Sequence, residues 1–266
     1  MKLTYFLAGL LVCISMPLHA EIKTQVIEYA GESEDVVLKG YLAYDDEITE
    51  KRPGVLVVHE WWGHNEYARQ RARMLAELGY TALAVDMYGD GKTADHPKDA
   101  MKFMKAVISN MEAGKARFVA ALNLLKAQTT VDADKTAAIG YCFGGGIVLA
   151  MARQGVDLNG VASFHGSLGT ETPAEEGDIK AEIIVFNGAA DKMSPPEMVQ
   201  TFKDEMDNAK ASYEVVDYPG VKHSFTNPAA DEFAKKFDLP IGYDEKADKD
   251  SWQKLQAFFK RIFNKS

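Results

Sequence analysis

Along this 266-residue chain, short apolar runs alternate with segments whose apolar residues recur at helical spacing. The run Gly54 to His59 (GVLVVH) is typical of a strand covered on both faces. Similar runs predict strands at 80–85, 136–139, 161–164, 182–186 and 213–217. Helical spacing predicts helices at 66–78, 98–128 with a break near Gly114, 144–153, 195–209 and 252–263.

Strands that alternate with helices indicate right-handed crossovers, and therefore the α/β class: a doubly wound, mostly parallel sheet with helices on both faces. We expect one domain over residues 21–266. In such sheets, ligands bind beyond the carboxyl ends of the strands. The candidate functional residues that follow the predicted strands are His59, Glu60, Trp61, Trp62, Gly63, Asp86, Met87, Tyr88, Cys142, His165, Asp191 and His223.

Residues 1–20 have the pattern of a secretory signal peptide. Lys2 is followed by a mostly apolar stretch, Leu3 to Met16, and by the small residue Ala20. We expect cleavage after Ala20 and export, to a bacterial periplasm. A lipoprotein signal at Cys13 is the alternative, although Val12 is bulky for such a signal.

The charge and the cysteine count narrow the classes of function. The net charge is -9, and no cluster of basic residues that would favour nucleic acid or an anionic membrane is present. No other stretch approaches the roughly 20 apolar residues of a transmembrane helix. Without the signal, Cys142 is the only cysteine, which excludes an intramolecular disulfide and a cysteine-based zinc site. The histidines also lack metal-binding spacing such as H-E-x-x-H, so we expect no metal.

The segment Gly140-Tyr141-Cys142-Phe143-Gly144-Gly145 lies between a predicted strand and a predicted helix. It matches the G-x-nucleophile-x-G elbow, with cysteine in place of the usual serine. The helix would direct its amino end at the thiol and favour a thiolate. A plain glycine turn around a buried, inert cysteine is the alternative.

The order of the remaining polar residues favours a catalytic triad. Hydrolases with this elbow supply nucleophile, acid and histidine in that order. Asp191 follows a later strand, before a helix whose start at Ser194 suggests a capping box, and His223 follows the next strand. Asp178 and Asp217 are the weaker candidates for the acid.

From about residue 24 to its end, the chain resembles the dienelactone hydrolase family. The resemblance is carried by the elbow around Cys142, the His59-Glu60-x-x-Gly63 segment, the Asp191 loop and the Lys222-His223-Ser224-Phe225 motif. It implies an α/β-hydrolase fold and a Cys-His-Asp triad without a metal or organic cofactor. Cys142 would be the nucleophile, His223 the general base and Asp191 the residue that orients the base.

The resemblance also implies roles around the triad. Glu60 would hydrogen-bond the resting thiol and help to deprotonate it, and a carboxylate there would raise the thiol pKa by like-charge repulsion. A solvated loop carboxylate is the alternative for Glu60. The backbone N–H groups of Trp61 and Phe143 would form the oxyanion hole.

Other residues bear on the substrate. Relatives that cleave dienelactone have two arginines for its carboxylate, and the matching positions here are near Asp90 and at Asn227. We therefore expect an uncharged substrate. Aromatic residues expected near the site, as pocket walls or as packing, are Trp61, Trp62, Tyr88, Phe143 and Phe225. The long segment 226–250 is expected to cover the site beside His223.

Taken together, these features predict an exported, cysteine-dependent hydrolase of small esters or lactones, as a monomer or small homo-oligomer. Two alternatives remain open. The chain could be a non-catalytic binding protein on the same scaffold, since a fold does not dictate function. It could also hydrolyse peptides or glycan-linked esters.

Overall fold

The computed structural model describes residues 22–33 and 35–264, and the predicted signal peptide lies outside them. One eight-stranded sheet organises these residues, in the order β1-β2-β4-β3-β5-β6-β7-β8. The strands are β1 (Ile22–Ala30), β2 (Val37–Asp45), β3 (Arg52–Val58), β4 (Thr81–Val85), β5 (Val131–Tyr141), β6 (Gly160–Phe164), β7 (Glu182–Gly188) and β8 (Tyr213–Tyr218). The strands β3 to β8 are mutually parallel. At one edge of the sheet, β2 pairs antiparallel with β4, and β1 pairs antiparallel with β2.

Seven helices connect or flank these strands within the described residues. They are α1 (Glu66–Glu77), α2 (Pro97–Ile108), α3 (Met111–Lys126), α4 (Phe143–Arg153), α5 (Pro196–Asn208), α6 (Ala230–Phe237) and α7 (Glu245–Phe263). None of the helices in this part of the chain is both long and apolar enough to span a bilayer.

Alternate side chains of the central strand β3 belong to two different hydrophobic cores. Leu56 and Val58 pack on the face covered by α3, α4 and α5. Val55 and Val57 pack on the opposite face, against α1 and α7. Side chains that alternate in this way explain why the strand reads as a continuous apolar run. The predicted doubly wound sheet with helices on both faces is confirmed.

The break in the long helical segment lies at Ser109 and Asn110, so its predicted position near Gly114 was wrong. Asn110 caps α3 by accepting a hydrogen bond from the Ala113 N–H at 3.2 Å. Gly114 is buried inside α3, and a Cβ there would lie 3.2 Å from Val107 Cγ1. The glycine therefore permits close packing of α3 on α2 rather than a break in the helix.

The segment 226–250 is mostly structured and lies alongside His223. It contains α6 and the first residues of α7, and Ile241 forms a parallel bridge with His223. The Gly242 N–H donates to the His223 carbonyl at 3.0 Å. Phe233 of α6 packs on Trp62, with ring centroids 4.6 Å apart. The segment therefore lies beside His223 as expected, and its covering of the site stays a prediction.

Candidate active site

Cys142 occupies a sharp turn between β5 and α4. Its backbone has φ 52° and ψ -114°, a conformation that residues other than glycine rarely adopt. A Cβ on Gly140 would lie 2.1 Å from the Gly144 carbonyl oxygen, and a Cβ on Gly144 would lie 2.3 Å from the Val58 oxygen. The requirement for glycine on both sides of the cysteine, predicted from the elbow pattern, is confirmed.

Asp191 and His223 form a buried pair beyond β7 and β8. His223 Nδ1 donates to Asp191 Oδ2 at 2.7 Å, and both residues are less than 5% exposed. Burial by itself lowers the pKa of His223, but the charge of a Cys142 thiolate and the hydrogen bond to Asp191 outweigh it and raise the pKa to about 10. The charges of Cys142 and His223 are therefore electrostatically coupled. His223 Nε2 is buried without a regular hydrogen bond inside the described ranges.

The loop of Asp191 is held by its own backbone and side chain. Asp191 Oδ1 accepts the Met193 N–H at 2.8 Å, and the Asp191 carbonyl accepts the Ser194 N–H at 3.3 Å. The expected capping box was wrong: Pro195 is the N-cap of α5, without a side-chain cap, and Ser194 Oγ instead donates to the Gly166 carbonyl. Two prolines at the helix start leave fewer N–H groups for a serine to cap.

The two weaker candidates for the acid make other contacts. Asp217 Oδ1 accepts from Asn187 Nδ2 at 2.8 Å, and its carboxylate lies 3.7 Å from Lys203 Nζ. Asp178 Oδ2 accepts the Glu175 N–H at 2.8 Å. Of the three carboxylates, Asp191 is the one hydrogen-bonded to His223.

Glu60 is buried, but its hydrogen bonds differ from the expected ones. Its two carboxylate oxygens accept from Ser224 Oγ at 3.1 Å and from Asn227 Nδ2 at 2.6 Å. The described residues show no hydrogen bond between Glu60 and Cys142, so the expected resting contact is wrong for this conformation. Burial raises the pKa of Glu60 above its usual value. The two donors and the nearby His223 and Arg71 oppose this rise without cancelling it.

Neither donor to Glu60 was predicted. Ser224 is 164 residues and Asn227 is 167 residues from Glu60 along the chain. Their polar side chains next to His223 were the only sequence signal. Asn227 carries no charge, but its side-chain amide still binds the Glu60 carboxylate.

The loop after β3 is hydrogen-bonded to the turn around Cys142. Gly144 N–H donates to the His59 carbonyl at 3.1 Å. His59 Nδ1 donates to the Glu60 carbonyl at 2.6 Å, and its Nε2 accepts the Met87 N–H at 3.3 Å. Tyr88 OH donates to the Trp61 carbonyl at 3.0 Å. These bonds orient the peptide groups beside the elbow.

The two expected oxyanion-hole donors remain available to a ligand. Phe143 is the first residue of α4, where N–H groups lack an acceptor within the helix. In the described part of the chain, neither Phe143 nor Trp61 donates its N–H to a protein acceptor. The amino end of α4 adds a partial positive charge at the same place.

The aromatic side chains contribute less to a pocket than expected. Phe225 is fully buried between the rings of His165 and Tyr218, at 5.2 and 5.4 Å, so its predicted role as a pocket wall was wrong. Phe225 lies in a buried turn and not at an open strand end. Trp62 is only 3% exposed and packs under α6, and Tyr88 is 6% exposed. Tyr88 packs on the His59 ring and supports the loop.

His165 has a contact with the backbone of Cys142 that the sequence did not reveal. Its Nδ1 accepts the backbone N–H of Cys142 at 3.1 Å, and its Nε2 lies 2.7 Å from Thr226 Oγ1. Its position after the strand 161–164 was the only sequence signal for this residue. No group of three or more metal-ligating side chains occurs within residues 22–33 and 35–264.

Replacing Glu60 with glutamine is expected to increase the reactivity of Cys142 several-fold near neutral pH. The change removes a negative charge from the site, and a thiolate then forms more readily. The rate of alkylation by iodoacetamide, measured against pH, checks this. Glu66→Gln, an exposed carboxylate at the start of α1, is the matched control. An unchanged alkylation profile for Glu60→Gln would show that Glu60 does not influence the thiol.

Comparison with known proteins agrees with this geometry. The model of the dienelactone hydrolase family matches residues 38–263. "Protein usf" of Aquifex pyrophilus is 31% identical over 244 residues, which cover 89% of this chain and 97% of that protein. The solved structure of m3DLH is similar, with 34% identity, a TM-score of 0.85 and coverage of 91% of this chain and 99% of that one.

A second solved structure is that of a dienelactone hydrolase-like promiscuous phosphotriesterase from metagenomic libraries. It is 32% identical, has a TM-score of 0.83 and covers 91% of this chain and 99% of its own. The fold and the family match extend over nearly all of the described residues. The chain therefore belongs to the dienelactone hydrolase family of α/β hydrolases.

Proposed function

We propose that the protein hydrolyses uncharged carboxylic esters or lactones through a thioester formed on Cys142. Membership of the dienelactone hydrolase family makes it a hydrolase that acts on esters or lactones. The observation that carries the finer proposal is the electrostatic coupling of Cys142, on its glycine-flanked turn, to the buried pair of His223 and Asp191.

In the first half-reaction, the Cys142 thiol loses its proton to His223 Nε2, and the sulfur attacks the carbonyl carbon of the substrate. The oxygen gains negative charge and is held by the N–H groups of Phe143 and Trp61. Collapse of this intermediate breaks the bond to the leaving alkoxide, which takes the proton from His223. The acyl group then remains on sulfur as a thioester.

In the second half-reaction, His223 removes a proton from a water molecule, whose oxygen attacks the thioester carbonyl. The carbon–sulfur bond breaks and releases the carboxylic acid, and His223 returns the proton to the sulfur. Asp191 accepts the Nδ1 hydrogen throughout, so Nε2 presents its lone pair to the sulfur or to water.

The preference for uncharged substrates rests on the charges near the site. Asp90 has an exposed side chain 3.5 Å from Lys92, and Asn227 donates to the buried Glu60. Neither position has a cation that could bind a carboxylate. The buried Arg71 is already paired with Asp248. A substrate carboxylate would therefore approach Glu60 without a compensating arginine at either position.

Hydrolysis of uncharged phosphotriesters is a second candidate, favoured by the 32% identity to the promiscuous phosphotriesterase. The same thiolate can attack the uncharged phosphorus, which breaks its bond to the leaving alkoxide or aryloxide, and that group takes the proton from His223. Water that has lost a proton to His223 then cleaves the phosphorus–sulfur bond and releases the phosphodiester. Both candidates share the nucleophile, and they differ in whether a thioester or a phosphorylated cysteine forms. Trapping the intermediate by acid quench and measuring its mass separates them.

We also propose that residues 1–20 direct export to the periplasm, as their charge and apolar pattern suggest. The periplasmic fraction of bacterial cells that produce the full chain should then contain protein that starts at Glu21. Amino-terminal sequencing of that fraction is the measurement. Full-length protein retained in the cytoplasm would refute export.

The experiment that tests the main proposal compares purified wild-type protein with Cys142→Ala and His223→Ala. Nitrophenyl acetate, dienelactone and a neutral nitrophenyl phosphotriester are the substrates. We expect the wild type to be fastest on the neutral ester, and each variant to lose at least about a thousandfold in kcat. Gln200→Ala, on the exposed face of α5, is the control.

Each other outcome has a definite meaning. Retained activity in Cys142→Ala contradicts the cysteine mechanism, and a rate on dienelactone equal to that on the neutral ester contradicts the substrate preference. Wild-type protein that hydrolyses none of the three substrates favours the binding-protein alternative or the hydrolysis of peptides or glycan-linked esters.

A further inference from the structure

A connected set of polar side chains links helices α1 and α7 to the backbone of the nucleophile. We call it the His165 network; its members, in spatial order, are Asp248, Arg71, Tyr67, Thr226 and His165. It ends on the N–H group of Cys142. The triad mechanism uses none of these five side chains.

The contact with Cys142 determines the protonation of His165. A backbone N–H can only donate, so Nδ1 of His165 must present a lone pair to Cys142. Burial, together with the neighbouring charges of His223 and Arg71, lowers the pKa of His165 well below 6.5, so the ring is neutral near neutral pH. Its proton is therefore on Nε2, which donates to Thr226 Oγ1 at 2.7 Å.

The rest of the network fixes Thr226 in place. Thr226 is fully buried, and its Oγ1 lies 2.7 Å from Tyr67 OH. Arg71 Nε donates to Tyr67 OH at 3.3 Å, and Arg71 Nη2 donates to the Thr226 carbonyl at 2.6 Å. Arg71 in turn pairs with Asp248. Two helices thus anchor the hydroxyl that accepts the Nε2 hydrogen of His165.

This tautomer matters because Cys142 has a backbone conformation that is costly for a residue with a Cβ. Its N–H is shared between the Phe164 carbonyl at 3.0 Å and His165 Nδ1 at 3.1 Å. The opposite tautomer would put a hydrogen on Nδ1 facing the Cys142 N–H. That arrangement would push the turn away from its present geometry.

We propose that His165 is a positioning residue, which holds the backbone of Cys142 in the reactive turn through the Nδ1 lone pair, while Thr226 accepts the hydrogen on Nε2. The proposal rests on the proposed function of Cys142 as the nucleophile. His165 touches neither the substrate nor the reacting sulfur in this role. It acts through the peptide N–H of the nucleophile.

Three variants at the two central positions test the proposal, with kcat and KM measured on nitrophenyl acetate. His165→Leu removes the acceptor, and we expect kcat to fall by about a hundredfold with KM changed less than about threefold, because a misplaced reacting group slows chemistry more than binding. His165→Asn should recover about tenfold of that loss, since Oδ1 can replace Nδ1 and asparagine tolerates the His165 φ of 41°. Thr226→Val should lower kcat about tenfold, because the Nε2 hydrogen loses its buried acceptor and the ring is no longer held against Cys142.

A matched control separates this role from general damage to the core. Thr81 is also a fully buried threonine whose hydroxyl binds another side chain, but it lies at the opposite end of the sheet, where β4 begins. Thr81→Val should therefore lower thermal stability about as much as Thr226→Val while leaving kcat unchanged. Circular dichroism melting of all variants verifies that they fold, and Thr226→Val carries the test if His165→Leu does not fold.

The outcomes distinguish the two proposals. If Cys142→Ala is inactive while folded His165→Leu and Thr226→Val keep the wild-type kcat, the positioning role is refuted and the cysteine mechanism stands. The same conclusion follows if Thr81→Val loses as much kcat as Thr226→Val. If Cys142→Ala retains activity, the proposed function itself fails.

Discussion

Replacing Asp191 with asparagine is expected to lower kcat by about three to four orders of magnitude, the size seen when the acid of a serine-protease triad is changed in this way. The carboxylate accepts the Nδ1 hydrogen of His223 at 2.7 Å. An amide can instead donate to Nδ1, and the proton of the neutral ring then moves to Nε2. His223 could no longer take a proton from Cys142.

The measurement is kcat on nitrophenyl acetate together with the alkylation rate of Cys142. Both should fall in Asp191→Asn, because each needs His223 as a base. Asp217→Asn is the matched control, since Asp217 lies near the carboxyl end of β8 but binds Asn187 and Lys203. A loss of less than about tenfold in Asp191→Asn, or an equal loss in Asp217→Asn, would mean that the triad assignment is wrong.

The placement of Cys142, Asp191 and His223 at one edge of the sheet could be predicted from the sequence because these residues follow parallel strands. Cys142, Asp191 and His223 come after β5, β7 and β8, and the carboxyl ends of these strands meet at one edge of the sheet. The apolar runs of β3 to β8 identified that sheet. The glycines around Cys142 identified the turn, since they are needed for steric reasons that the sequence displays directly.

The residues around the triad were predicted less well, because their roles depend on contacts between distant segments. The partners of Glu60 are more than 160 residues away from it, and the role of His165 depends on a threonine 61 residues later. The edge strands β1 and β2 were also not predicted. β1 has a half-exposed pattern with charged residues, which lacks the continuous apolar run used to find the other strands.

Removing the guanidinium in Arg71→Met is expected to lower the free energy of unfolding by about 3–5 kcal/mol, the cost of breaking a buried ion pair from one side. The Arg71 side chain is 5% exposed and that of Asp248 is 14% exposed, with 2.6 Å between Nη2 and Oδ1. The change also leaves the Thr226 carbonyl without its 2.6 Å donor. Methionine fills similar volume, so the loss reports on polar contacts more than on a cavity.

Urea unfolding of Arg71→Met, Asp248→Leu and the double variant measures the effect and its origin. If the unpaired charge causes the loss, the double variant should be more stable than either single variant, because neither charge is left alone. Arg73→Met, two residues away on α1 with the exposed partner Glu66, is the control and should cost no more than about 1 kcal/mol. Equal losses at positions 71 and 73 would mean that burial of the pair does not set its energy. A stable Arg71→Met with reduced kcat would instead show that the pair acts on Cys142 through Thr226 and His165 and contributes little to folding.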